Sequence, residues 1–343
     1  MAYPNNPNNR VFYATQGVAV GDINATSVID SYVGDGSVID GDGKIMIAHG
    51  LQSVGITTNF NLEQIFELGQ LSLYENLEEV PDIEVTFEKL LDGYSLIYHL
   101  GTVDATNPTL TGRANARADV RMVVGYDTET SIQAGGANSG IAELYCSGMY
   151  ISSVAYNLST DGTFTESTTF VGNDKQWLTG SDTGGLLADA NGDIDAAFGN
   201  DAPVSDDNSV LRRQNVVIGS TGKDLGASGT TFRTVVPNFI EGANTVGTGV
   251  AGYGGTGLNT NASYISTDAG PYLNSVSISV DLGREDIQQL GKKAPYFRYV
   301  SFPVDVTCDI EVTAVGGDNI DAAEEANNLS NHSIQFVLDD STV

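Results

Sequence analysis

The stretch SVGITTNFNLEQIFELGQLSLY at 53–74 returns as SVSISVDLGREDIQQLGKKAPY at 275–296, with a constant offset of 222 residues. Continued without a gap to Pro81 and Pro303, the alignment holds nine identical residues in 29 positions. Self-similarity at a fixed spacing indicates a duplicated structural unit. We therefore expect the fold to contain the same local structure twice.

Each copy begins with a strand-like segment, because apolar and polar residues alternate in SVGIT and SVSISV. The residues that follow have apolar side chains at helical spacing: Leu62, Ile65 and Leu68 in the first copy, and Ile287 and Leu290 in the second. Asn61 with Gln64 matches a capping box, and Gly69 and Gly291 stand where a left-handed residue ends a helix. The pattern predicts a short helix in each copy, which must pack on the neighbouring sheet because two turns are unstable alone.

A strand with strict alternation follows each proline. Its apolar side chains are Ile83, Val85 and Phe87 in the first copy, and Val304, Val306, Cys308, Ile310 and Val312 in the second. The opposite faces carry Asp82, Glu84 and Glu88, and Asp305, Asp309 and Glu311, at positions expected to match between the copies. Ionised carboxylates are too costly to bury in a dry core, so these faces are predicted to contact water.

Composition favours an all-β protein. Of 343 residues, 41% are hydrophobic and only 17% are charged, while Gly, Ser, Thr, Asn and Asp are abundant. The net charge of −29 argues against a conventional nucleic-acid binder, because such binding depends on neutralising phosphates with Lys and Arg. The same charge suits a surface along which DNA slides without sticking, and it equally suits a protein that needs the charge only for solubility.

Neither a membrane span nor a secretion signal is expected. The polar start MAYPNNPNNR lacks the basic and apolar regions of a signal peptide, and no apolar run is long enough to cross a bilayer. Synthesis in a cytoplasm is the expectation. Cys146 and Cys308 are too few and too far apart for a disulfide scaffold or a zinc motif, and both are expected to be buried thiols.

No motif indicates an enzyme or a required cofactor. Gly247, Gly249 and Gly252 have dinucleotide-fingerprint spacing, but the sequence after them cannot start the helix that such a loop needs. The segment DANGDID offers Asp189, Asn191, Asp193 and Asp195 at the spacing of a calcium loop, and these are weak metal candidates because the usual glycine and the final glutamate are missing. Trp177, the sole tryptophan, is expected to be a core anchor.

Two segments resemble the tail tube proteins of long-tailed bacteriophages. YNLSTDGTFTESTTFVGNDKQW, at 156–177, is similar to the part of those proteins in which a strand, an aspartate–glycine turn and a Thr/Ser-rich strand lead to a tryptophan. LGKKAPYFRYVSFPVDVTCDIEV, at 290–312, is similar to a second tube-protein segment. The resemblance implies a mainly β fold of sandwich or barrel modules with short flanking helices, in which neighbouring subunits join their sheets into stacked rings.

The resemblance also implies an organisation and partners. Residues 1–181 would form a first tube-like module with an N-terminal arm, 182–262 a Gly/Asx-rich loop insertion with a few strands, and 263–343 a second, partial copy. The chain would assemble with itself into trimeric or hexameric rings in a virion tail, contact other tail proteins, and let DNA pass without specific binding. At least one set of acidic residues would then face the lumen.

Two other interpretations stay open at this point. One is a different virion component, such as a decoration or baseplate protein. The other is a secreted, calcium-stabilised β-rich adhesin, which would use the acidic turn at 189–195.

Overall fold

The described part of the chain is almost entirely β-structure. A computed structural model describes residues 16–23, 25, 27–29, 44–92, 94–102, 115–125, 140–179, 210–213, 216–217, 272–313 and 337–338. The strands in chain order are β1 (Gln16–Gly21), β2 (Ser27–Ile29), β3 (Lys44–Ile47), β4 (Leu51–Asn59), β5 (Leu62–Phe66), β6 (Leu73–Glu78), β7 (Asp82–Leu90), β8 (Ala118–Gly125), β9 (Gly140–Ser159), β10 (Thr165–Gly172), β11 (Asp174–Thr179), β12 (Val216–Val217), β13 (Tyr272–Asp281), β14 (Arg284–Ile287), β15 (Phe297–Val300), β16 (Val306–Thr313) and β17 (Val337–Leu338). The one helix among the described residues is α1 (Ile97–Leu100). The mainly β prediction is confirmed.

Two sheets share the long strand β9. The first sheet has the order β2-β3-β1-β8-β9-β11 and uses the N-terminal half of β9. The second sheet has the order β4-β7-β10-β9-β13-β16, uses the C-terminal half of β9, and is antiparallel throughout. β12 pairs with β17, and two separate hairpins, β5–β6 and β14–β15, complete the described strands.

The two sheets pack face to face around one apolar core. Val20 and Met46 of the first sheet belong to the same buried cluster as Val85 and Phe87 of the second. Phe87 also contacts Phe170 edge to face, with ring centroids 5.5 Å apart. Side chains from both sheets therefore fill one sandwich-like interior.

A buried carboxylate anchors the short helix to the second sheet. Glu166 of β10 accepts hydrogen bonds from the backbone N–H groups of Ile97 (2.8 Å) and Tyr98 (3.0 Å) and from the hydroxyl of Tyr156 (3.2 Å). Residue Leu96 at the helix start offers no side-chain cap, so Glu166 satisfies N–H groups that would otherwise lack partners. Burial raises the pKa of this carboxyl.

The predicted short helices at 61–69 and 285–291 are wrong. Both segments form hairpins, in which Leu62 pairs with Glu78 and Arg284 with Val300. Gly69 and Gly291 do have positive φ, at 94° and 87°, but they shape hairpin turns and not helix ends. Helical spacing over two turns is a weak signal, and pairing with the next strand overrides it.

The internal repeat is confirmed in three dimensions, because both copies have the order strand, hairpin, strand and their hairpins have the same register. The residue pairs 62↔78 and 284↔300 differ by the offset of 222. The hydroxyl of Ser53 donates to Glu88 at 3.2 Å, and the hydroxyl of Ser275 donates to Glu311 at 3.1 Å. The duplication therefore extends to a side-chain contact between the outer strands.

Three further expectations have different outcomes. Trp177 is not a core anchor, since it is 51% exposed on β11. Cys146 is fully buried as expected, whereas Cys308 is only partly buried. The strict alternation of β7 is confirmed, with Ile83, Val85 and Phe87 buried.

The buried thiol gives a first prediction. Burial raises the pKa of Cys146 to about 12, so at pH 8 roughly one molecule in 10⁴ carries the reactive thiolate. In a Cys308→Ser background, we expect a thiol reagent to label Cys146 at least about 100-fold more slowly in the native protein than in urea. Equal labelling rates in the two states would contradict the burial of this residue.

Candidate functional site

The outward face of the second sheet is polar across all six strands. Alternate residues point away from the core, and apart from the apolar Leu90 and Val171 they are small or polar: Ser53, Gly55, Thr57, Asn59, Asp82, Glu84, Thr86, Glu88, Thr165, Ser167, Thr169, Ser153, Ala155, Asn157, Ser159, Ser275, Ser277, Ser279, Asp281, Thr307, Asp309 and Glu311. We call this set, with Asp305 just before β16, the polar face. It forms a shallow depression near Ser153, Ser279 and Thr307.

The polar face is acidic and carries no Lys or Arg. Its carboxylates are Asp82, Glu84, Glu88, Asp281, Asp305, Asp309 and Glu311, and all seven residues are exposed. The six acidic residues predicted from sequence therefore share one solvent-facing surface. Their charge meets no cation at any of the positions that define this face.

The predicted match between the two acidic sets is correct for two pairs and wrong for one. Glu88 lies opposite Ser53 as Glu311 lies opposite Ser275. Asp82 directly follows Pro81, whereas Asp305 is the second residue after Pro303, but the strand pairing still makes them correspond, because Asp305 lies just before Val306 at the end of the ladder as Asp82 lies at the end of its own. Glu84, opposite Thr57, corresponds to Thr307, opposite Ser279, and not to Asp309. The shift arises because the second copy gains one residue after its hairpin.

Asp82 marks one end of the polar face. Its carboxylate lies 3.4 Å from the guanidinium of Arg298, accepts a hydrogen bond from Asn61 at 3.0 Å, and is near Asn173 at 3.3 Å. These contacts attach the hairpin β14–β15 to the start of β7. Part of the charge at this end is thus balanced, while Glu84 and Glu88 point to solvent.

In the part of the chain that the structure describes, both outer strands of the second sheet lack a pairing partner along one edge. Within the described residues, β4 pairs only with β7, and β16 pairs only with β13. Such edges present unpaired backbone N–H and C=O groups, and proteins either protect them or use them for assembly. The sequence signalled these strands but not their position at the edges.

The two hairpins expose large apolar side chains. On β5–β6 and its flanks these are Phe60, Leu62, Ile65, Phe66, Leu68, Leu71, Leu73, Tyr74 and Leu77. On β14–β15 and its flanks they are Ile287, Leu290, Tyr296, Tyr299 and Phe302. Leu68, Leu71 and Leu290 are fully exposed, which is unusual for several residues of this type in one region.

Sequence reasoning missed this apolar surface because it assigned the hairpins to helices packed on the sheet. The sequence did hold a signal for exposed apolar residues in the first hairpin. Leu68 and Leu71 flank Gly69 in a segment that, once read as a turn, cannot bury them.

The metal and nucleotide candidates from the sequence fall on residues that the structure does not describe. Asp189, Asn191, Asp193 and Asp195 lie outside the described residues, as do Gly247, Gly249 and Gly252. Among the residues that the structure does describe, no group of three or more His, Cys, Asp or Glu side chains could hold a metal ion. Within the same ranges, no helix has the length and apolarity needed to span a bilayer.

The exposed hairpin tip gives a second prediction. Because Leu68 and Leu71 contact solvent, replacing both with Asp should change the free energy of unfolding by no more than about 0.5 kcal/mol, while lowering the binding of an apolar dye. Urea unfolding and dye fluorescence measure the two effects. The variant Gln64→Asp/Ser72→Asp, which adds the same charge but keeps the leucines, should retain dye binding. A destabilisation above about 2 kcal/mol would mean that the tip packs on its own chain.

Comparisons with known proteins give only distant likenesses. No family model and no curated protein matches the chain. The fold is similar to a chain in the cryo-EM structure of the anti-feeding prophage baseplate, with 8% identity and a TM-score of 0.32 over 50% of this chain and 96% of that chain. It is also similar to the anti-feeding prophage tube-terminating cap (10% identity, TM-score 0.31, 52% and 100% covered). An Hcp protein crystal structure is a third likeness (10% identity, TM-score 0.24, 48% and 98% covered). TM-scores this low do not assign the chain to a family.

Proposed function

We propose that the chain is a structural subunit of a phage tail tube, in which second sheets join edge to edge into a ring that surrounds the path of DNA. The observation that carries the proposal is the six-stranded antiparallel sheet, open at β4 and β16, with an outward face free of Lys and Arg. One surface offers the edges for assembly and a wall to which DNA would not adhere. The proposed role needs no catalysis and no cofactor.

Strand direction favours closure into a ring. A fully antiparallel sheet with an even number of strands has outer strands that run in opposite directions. When a copy is rotated about the ring axis without inversion, its β4 is antiparallel to β16 of the preceding copy. Each junction can therefore continue the same ladder, and a head-to-tail contact that closes leaves no free edge.

The strand count favours three copies over six. Three copies would contribute eighteen strands to the inner wall, since each provides six. With strands about 4.8 Å apart and tilted by about 40°, such a barrel is roughly 35 Å across at the backbone. Six copies would double that width to about 70 Å, much more than a double helix with its hydration layer requires.

The charge of the polar face agrees with a conduit. Seven carboxylates per copy would be multiplied by ring symmetry into a negative band that repels phosphates. Even a few cations per ring would add phosphate contacts that accumulate along a tube. Asp82, Glu84, Glu88, Asp305, Asp309 and Glu311 would accordingly face the lumen.

The remaining parts of the proposal follow from the same role. The protein would be made in the host cytoplasm and reside in the virion tail, in contact with other tail proteins. Segment 1–181 would serve as the main module and 263–343 as its partial copy, with 182–262 as an insertion whose residues lie mostly outside the described ranges.

Blocking the open edges should prevent assembly without unfolding the chain. Proline removes a backbone donor and is tolerated on an edge strand where the N–H group points outward, which is true of one residue in each adjacent pair. On β4 we therefore expect either Thr57→Pro or Thr58→Pro to keep the native circular dichroism spectrum, and on β16 either Thr307→Pro or Cys308→Pro. The variants that keep this spectrum should form no rings in negative-stain images. Thr168→Pro, in interior strand β10, should unfold the sheet. If the variant that folds in each pair also assembles like the wild type, edge pairing is disproved.

Reversing charge on the polar face should affect DNA and not assembly. We expect Glu84→Lys with Asp305→Lys to form normal tubes in reconstituted virions but to slow or stop DNA ejection, because each ring then offers phosphate-binding cations. Asp161→Lys with Asp174→Lys, at exposed positions off this face, is the matched control. Normal ejection from the first double variant would rule out the lumen assignment.

A further inference from the structure

The two repeat-related hairpins have opposite charge. Residues 60–81 contain five glutamates and no Lys or Arg, whereas the aligned residues 282–303 contain four of the chain's 15 cations and only two acids. The net charges are −5 and +2 in the middle of a chain that carries −29 overall. We call these segments the acidic hairpin and the basic hairpin.

The two hairpins project from the same end of the second sheet. β4 and β13 are separated by four antiparallel steps and therefore run in the same direction, and each continues into its hairpin at its C-terminal end. Within one chain the hairpin bases border a common cleft, lined by Leu77 and Glu79 on one side and Asp286 and Lys293 on the other.

The outward charge of the basic hairpin lies near its turn. Arg298 is held by Asp286 at 3.1 Å and by Asp82, and Arg284 donates to the backbone oxygen of Ile151 at 2.8 Å. These two arginines are therefore engaged at the hairpin base. Lys292 and Lys293 are exposed beside Gly291, next to the fully exposed Leu290.

The acidic hairpin presents the complementary surface. Glu63, Glu67 and Glu75 are exposed around an apolar strip that includes Phe66 and Leu71. Two acidic hairpins side by side would repel, whereas an acidic hairpin beside a basic one gains attraction and buries apolar area from both. Unlike charge therefore selects a contact between the two different hairpins.

We propose that the basic hairpin of one copy packs sideways against the acidic hairpin of the next copy of this chain in the same ring. The inference rests on the proposed function, because joining β16 to the neighbouring β4 puts β13 only two strand spacings, about 10 Å, from that β4. This is the separation at which two β layers pack face to face. The charge difference between the two repeats thus fixes the head-to-tail polarity of the ring.

Charge reversal and its rescue test the pairing. We expect Lys292→Glu/Lys293→Glu to raise the protein concentration needed for ring formation by at least about 10-fold, and about 1 M salt, where the Debye length is about 3 Å, to reduce that difference. Adding Glu63→Lys, Glu67→Lys and Glu75→Lys in the same chain should restore assembly. Arg212→Glu/Arg213→Glu, an adjacent exposed basic pair outside the hairpins, is the matched control. Failure of the rescue, or an equal defect in the control, would overturn the pairing.

Cross-linking locates the contact in the assembly. Chains carrying Ser72→Cys are mixed with chains carrying Gln289→Cys in a Cys308→Ser background and treated with a short bifunctional maleimide. Covalent dimers should form in the mixture and not in either variant alone. They should already form in single rings, before rings stack. Rings without such dimers would reject the hairpin contact while leaving the tube proposal intact, and dimers that need stacked rings would reject its sideways placement. Absence of rings in the wild type would reject both.

Discussion

Strand β9 is the element on which the rest of the structure depends, because its backbone is paired on both sides along most of its 20 residues. Its N-terminal half lies between β8 and β11, and its C-terminal half lies between β10 and β13. Gly148 has φ 62° where the two halves meet, and its N–H donates to Asp119 at 3.1 Å. A left-handed glycine at such an irregular point lets one strand bend from one sheet into the other. The bend brings the two sheets face to face and closes the core.

The two copies of the repeat attach to opposite sides of the strand pair β9–β10. The first copy joins through β7 to β10, and the second joins through β13 to β9, so the outer strands are β4 and β16. The same arrangement directs both hairpins to one end of the sheet. The open edges, the polar face and the apolar hairpins are therefore consequences of one topology, since each depends on where the two copies attach.

Lys89 and Arg121 are two cations that are used inside the protein. Lys89 is buried and donates to the backbone oxygen of His49 and to Asp92, and its pKa is lowered by burial. Arg121 pairs with the buried Glu143 at 3.0 Å. Buried charges need partners, so these cations are committed to internal carboxylates. On the polar face, Asp82 lies 3.4 Å from Arg298, but the positions that define the face hold no Lys or Arg, which gives it its acidic character.

Several local features follow from the order of the residues alone. Alternation over 82–88 specified which side of β7 is buried, the offset of 222 specified a duplicated unit, and Gly69 and Gly291 specified left-handed turns. These features depend on neighbouring residues alone, through side-chain period and backbone sterics. The solvent exposure of the six acidic residues after Pro81 and Pro303 was equally predictable, because burying a charge without a partner is costly wherever the strand lies.

The pairing of the strands and the exposure of several side chains depend on the packing of the whole fold. The helical spacing of Leu62, Ile65 and Leu68 gave way to a hairpin because β5 pairs with the next strand, β6, and no local pattern of side chains predicted that pairing. The exposure of Trp177, the sharing of β9 and the edge positions of β4 and β16 were likewise undecided by any local pattern. Backbone hydrogen bonds between strands join residues of almost any sequence, so their partners depend on the packing of the whole chain.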